Sequence, residues 1–111
     1  MLNQKFKDCI DACVACAVAC SDCATSCLQE EDVKMMAKCI QLDMECAAIC
    51  RSAAELMSLG SEYSAHLCRV CADVCKACAT ECEKHDAEHC KACAEACRKC
   101  ADACGQMATA V

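Results

Sequence analysis

Proline is absent from this chain of 111 residues, and glycine occurs only at Gly60 and Gly105. Tight turns draw on both residues, so these shortages disfavour hairpins and irregular loops and favour long uninterrupted helices. Tryptophan is missing too, and Phe6 and Tyr63 are the only aromatic side chains. A conventional core would be thin, because the abundant alanine and cysteine each bury little area. Small domains with weak cores usually depend on a metal, disulfides or oligomerisation. Basic charge is in deficit: a net charge of -6 argues against nucleic acid and against an acidic membrane surface as partners. No apolar run reads as long enough to cross a bilayer. The N-terminal residues show no charged-then-hydrophobic leader pattern, so the expected location is the cytoplasm. The length suits one domain over residues 1–111.

Cysteine is what the chain has in excess, with 19 residues. In three segments they recur at alternating steps of three and four: Cys9, Cys13, Cys16, Cys20, Cys23, Cys27; then Cys68, Cys71, Cys75, Cys78, Cys82; then Cys90, Cys93, Cys97, Cys100, Cys104. On an α-helix this rhythm is the a/d stripe that normally carries Leu and Ile into a core. A fourth segment carries fewer, Cys39, Cys46 and Cys50, with Met35, Leu42, Ala53 and Met57 at the other inward positions. Asp43 falls about 60° from Cys46 by helical phase, so it faces inward or sits at the edge, and an inward carboxylate needs a partner.

These features predict an all-α fold, an antiparallel up-down-up-down four-helix bundle with a cysteine-lined core. Helix 1 is expected from about Asn3 to Leu28, helix 2 from Asp32 to Leu59, and helix 3 from Glu62 to Glu83. Helix 4 is expected from near Asp86, as N-cap, to near Gly105. Gly60 reads as the residue ending helix 2 and Ser61 as the next N-cap. One end of such a bundle would gather Leu2, Phe6, Leu56, Leu59, Tyr63 and Leu67 as a plug. The other would gather Cys27, Met35, Met36, Cys82, His85, Asp86, His89 and Cys90, a mouth of candidate ligands. His85 and His89, four apart, would share a helical face as in a two-histidine metal site. His66 falls on the solvent side.

The thiols have several readings. A disulfide framework is disfavoured by a reducing compartment, by the odd count, and by helical geometry, which does not bring cysteines three or four apart into bonding distance. A thiol redox enzyme or sensor needs an accessible, low-pKa pair at a helix N-terminus, whereas most Cys-x-x-Cys pairs here lie mid-helix. Structural zinc takes closed sets of four ligands in turns and knuckles, and continuous rows do not divide naturally into such sets. Cu(I) fits best, since it is soft, accepts two thiolates and allows each sulfur to bridge two ions. All 19 cysteines are therefore candidate ligands, for multiple Cu(I) ions per monomer. The runner-up is a zinc or heavy-metal detoxifying thiol buffer. A copper chaperone would hold one or a few ions at an exposed site, which so many ligands exceed. Packing as a small hydrophobe accounts for one or two such cysteines, not for so long a series, whereas Met35, Met36, Met57 and Met107 read as gap fillers on a helical stripe, with Met35 and Met36 open as entry ligands because of their end.

The cysteine rows, together with Leu42-Asp43-Met44-Glu45-Cys46 and Cys82-Glu83-Lys84-His85-Asp86-Ala87-Glu88-His89-Cys90, resemble the cytosolic copper storage proteins of bacteria over essentially the whole chain. The resemblance implies storage of many Cu(I) ions by pairs of thiolates, with no catalysis. It also implies a homotetramer of bundles and a polar mouth, a role that passes to His85, His89 and Asp43. It names no copper donor or acceptor. Met35 and Met36 at the mouth depart from the leaderless branch of the family.

Overall fold

A computed structural model describes residues 4–109, and among them every regular element is helical. Helix α1 spans Gln4–Cys27, α2 Ala37–Ser58, α3 Ser64–Cys82 and α4 Glu88–Thr109, with a short 3-10 turn, Val33–Met36, ahead of α2. Short connections force neighbours to run antiparallel. Accordingly α1 packs on α2 and α4, and α3 packs on α2 and α4, around one central core. The result is a narrow rod of 47 × 18 × 18 Å. Its slenderness follows from the core residues: cysteine and alanine are short, so the helix axes draw close. Ala17, Ala47, Ala53, Ala72, Ala79, Ala94 and Ala101 are all buried beside the thiols.

The helix ends show where local chemistry sets the boundaries. Gly60 adopts φ +66 and closes α2 as a Schellman motif, its N–H donating to Met57 O (3.1 Å) while Ser61 N–H donates to Leu56 O (3.0 Å). A left-handed residue at this place is what glycine supplies at least cost. Helix 2 begins later than its sequence pattern suggests. Asp32 accepts from Met35 N–H through its side chain, and this cap tightens residues 33–36 into the 3-10 turn. Ser61 does not cap α3 directly: its Oγ accepts from Tyr63 N–H at 3.0 Å, in a turn that delays the helix to Ser64. Asp86 is exposed and is not the N-cap of α4, because Ala87 O takes the first helical bonds, from Cys90 and Lys91 N–H. Gly105 lies inside α4 rather than at its end.

Two further expectations change. The stretch Phe6–Cys27 is, by length and composition, apolar enough to cross a membrane. Its apolar character comes largely from cysteine and alanine, and every cysteine on it faces the bundle core. The plug is also built differently. Phe6 and Leu67 pack partly buried against the core and Leu56 is half-buried. Leu59 and Tyr63, by contrast, lie in the α2–α3 turn, 69% and 59% exposed, and Leu2 lies outside the described residues. Met57 and Met107 fill the closed end instead.

Candidate metal centre

All nineteen cysteines are free thiols, and none is more than 1% exposed. The alternating three-and-four spacing therefore turns each sulfur toward the axis on every helix. The sulfurs form a series of close contacts along the bundle, which Asp43 joins to the cysteines of the mouth. From the closed end, Cys104 lies 3.7 Å from Cys9 and 3.5 Å from Cys13, and Cys13 lies 3.7 Å from Cys100. Cys50 bridges Cys100 (3.8 Å) to Cys71 (3.6 Å) and Cys75 (3.8 Å). Cys46 continues from Cys75 (3.5 Å) to Cys16 (3.8 Å). Cys16 then leads to Cys97 (3.7 Å), Cys97 to Cys20 (3.7 Å), and Cys20 to Cys93 (3.6 Å).

Several groups of four sulfurs lie within 4.8 Å of one another, among them Cys16/Cys46/Cys50/Cys75, Cys16/Cys20/Cys46/Cys97 and Cys20/Cys78/Cys93/Cys97. Sets of four do exist, which continuous rows did not suggest. They overlap, however: Cys16, Cys46, Cys20 and Cys97 each serve at least two groups. A sulfur shared between adjacent sites is the geometry of bridging thiolates, and it differs from the closed tetrahedron of a structural zinc.

Asp43 is fully buried, so the inward alternative is the correct one. Its carboxyl accepts from Cys78 (3.3 Å), Cys93 (3.4 Å) and Cys82 (3.6 Å) through Oδ1, and from Cys39 (3.9 Å) through Oδ2. It thus stands where the deep row meets the mouth. Burial pushes its pKa up from 3.8 to about 10, since a charged carboxylate among thiols is poorly solvated.

At the mouth, Cys23, Cys27, Cys39 and Cys90 form the outermost sulfur group. His89, on the first turn of α4, points Nδ1 at Cys90 (3.6 Å), Cys23 (3.7 Å) and Cys27 (3.9 Å). Its Nε2–H donates to Glu30 Oε1 at 2.9 Å, which leaves the Nδ1 lone pair for the sulfur cluster. His85 Nε2–H donates to Glu81 Oε2 at 3.0 Å. The two histidines do not share a helical face, because residues 83–87 form the α3–α4 turn and His85 precedes α4. They are brought to the same end by the turn. Burial raises the thiols of Cys27 and Cys90, the latter to about 11, so both hold their protons at neutral pH. Met36 is buried beneath this end while Met35 is 68% exposed, and His66 is exposed as its phase requires.

Sequence reasoning missed Glu30 and Glu81, the carboxylates that hold the two rings. Glu30 sits in the α1–α2 turn, outside any helical period, so only the folded turn shows what it faces. Glu81 follows from its i,i+4 spacing to His85, a signal present in the sequence.

A narrow helical bundle with a file of buried thiols and a polar mouth defines a container for soft metal ions. A family model described as copper storage protein matches residues 2–109, and the chain belongs to that family. It is similar to the Cu(I)-bound copper storage protein BsCsp3, with 47% identity over 96% of this chain and 100% of that one, and a TM-score of 0.91. A cytosolic copper storage protein from Streptomyces lividans holding five coppers is 39% identical over 97% of this chain and 95% of that one, TM-score 0.93. The structure of the Streptomyces lividans copper storage protein loaded with ten copper equivalents is 39% identical over 97% and 86%, TM-score 0.93. No curated protein sequence matches.

Proposed function

We propose that this protein stores Cu(I) in bulk, holding many ions per chain along the thiolate file in the cytoplasm. The carrying observation is the sharing of sulfurs between neighbouring groups, with Cys16, Cys46, Cys20 and Cys97 each in at least two. Two-coordinate Cu(I) with bridging thiolates uses such a file fully, and capacity is then on the order of one ion per thiolate. All nineteen cysteines act as ligands in this reading. His89, through Nδ1, receives ions at the mouth with Cys23, Cys27 and Cys90, and His85 assists beside it. Asp43 passes ions from the mouth thiols Cys39 and Cys82 to the deeper Cys78 and Cys93. Each thiol must lose its proton on binding, so loading acidifies the medium. Four such bundles assemble as a tetramer, and the protein turns over no substrate. The whole chain acts as one domain.

Zinc buffering is the weaker reading, because each tetrahedral zinc needs four thiolates and would use the file for far fewer ions than two-coordinate Cu(I). The similar solved proteins also hold copper. The deciding experiment is an anaerobic titration of the reduced, metal-free protein with Cu(I) against a high-affinity chelator. Binding near the cysteine count, with release of about one proton per ion, supports storage. Saturation after a few ions, or stronger retention of zinc than of Cu(I), refutes it.

A further inference from the structure

The closed end of the bundle holds a sulfur that the thiolate file does not include. Met57 is 1% exposed, and its Sδ accepts the thiol proton of Cys68 at 3.7 Å. Cys68 differs in this from its neighbours in the file. Its close hydrogen bond goes to a thioether, while Cys9 and Cys104, the next thiols beside it, pair with each other at 3.7 Å. Met57 reaches this place because α2 continues past its last cysteine, Cys50, with Ala53 and Ala54 buried between them. The Gly60 closure then ends the helix. We propose that Met57 is a copper ligand, completing with Cys68 a terminal two-sulfur Cu(I) site at the sealed end.

The electrostatics of that end favour such a pair. When Cu(I) binds, Cys68 gives up its proton to solvent and supplies a thiolate, whereas the Met57 thioether supplies a lone pair and loses nothing. The resulting unit is neutral. A bis-thiolate unit would carry one net negative charge into an end of the core packed with the apolar side chains of Phe6, Leu67 and Met107, a costly place for an unbalanced charge. Within the file, sharing of each thiolate between two ions spreads the charge. The terminal thiol has an ion on one side only, and a neutral soft donor solves its imbalance. Thioether is also among the ligands that Cu(I) selects. The packing alternative, in which Met57 fills a gap among small side chains, predicts no contact with the metal.

This inference rests on the storage reading, and the test separates the two. Selenomethionine-labelled protein and its Met57→Leu variant, a volume-conserving change that the core tolerates, are loaded to saturation with Cu(I) and compared by X-ray absorption at the copper edge. Copper–selenium scattering is expected in the first and its loss in the second, with about one fewer Cu(I) per chain surviving chelator challenge in the variant. Unchanged spectra and retention at a capacity near the cysteine count overturn the Met57 ligand and leave storage intact. Saturation of both proteins at a few ions overturns the storage reading, and the terminal site with it.

Discussion

Replacing Asp43 by Asn should make the metal-free protein more stable at neutral pH, and more so as pH rises. The carboxyl is fully buried among Cys39, Cys78, Cys82 and Cys93, with Cys23 of α1 also in reach. Its recorded partners are all thiols, none of them a cation, and its folded-state pKa stands at about 10 against 3.8 when exposed. Below pH 3.8 the folded and unfolded chains both hold the proton, and the protonated carboxyl contributes its full share of stability. Above that pH the unfolded chain releases the proton while the folded chain keeps it, and stability falls by about 1.4 kcal/mol per pH unit. The fall continues until about pH 10, where the folded chain releases it too. At pH 7 the accumulated penalty is about 4 kcal/mol, a size that depends only on the folded pKa lying above 7. Between pH 5 and 7 the change is about 3 kcal/mol.

The amide introduced by Asp43→Asn keeps the size and the acceptor oxygen of the carboxyl but never ionises, so it escapes this slope. Urea unfolding of both proteins in reductant, followed by far-UV circular dichroism, measures the difference. Unfolded thiols titrate near pH 8.5 and stay silent below about pH 7, and the three histidines contribute alike to both proteins. The expected result is a stability gap that widens in favour of the variant by about 3 kcal/mol from pH 5 to 7. Parallel profiles would show that Asp43 is charged in the folded protein and that the burial argument fails.

Two other perturbations probe the mouth and the helix ends. Glu30→Ala frees the His89 ring and should slow uptake of the first Cu(I) equivalents by about tenfold, with total capacity unchanged and Glu30→Gln close to wild type. Stopped-flow loading checks this, and equal rates in all three proteins would deny Glu30 its positioning role. Gly60→Ala and Gly105→Ala should move stability in opposite directions, although added methyl groups meet nothing within 4 Å at either site. At Gly60 the left-handed backbone costs about 1 kcal/mol, whereas inside α4 the exchange gains about 0.5–1 kcal/mol. Thermal unfolding of the two variants should show shifts of opposite sign.

The core was legible because its code is one-dimensional. Steps of three and four put Cys9 through Cys27 on one face whatever the neighbouring helices do, and the same holds for the other rows. Asp43 was legible as an inward candidate for the same reason. The helix starts were harder to place. Asp32, Ser61 and Asp86 are all plausible caps by residue type, yet Asp32 caps a 3-10 turn, Ser61 caps a turn residue and Asp86 does not cap α4. Local hydrogen-bonding competition decides among these outcomes. The plug failed on Leu59 and Tyr63, which are apolar but fall in a turn, where no helical phase directs a side chain inward.

The sequence alone determined the four helices, their antiparallel order and the inward face of every cysteine, since period and loop length need no knowledge of partners. Only the tertiary structure decided which sulfurs meet. The sharing of Cys16, Cys20, Cys46 and Cys97 between groups depends on the relative height of facing helices, which sequence spacing does not contain. So do the pairing of Met57 with Cys68, and the meeting of Glu30 and His89 across two turns 59 residues apart. Spacing along a helix sets direction; registry between helices sets distance, and metal coordination is a matter of distance.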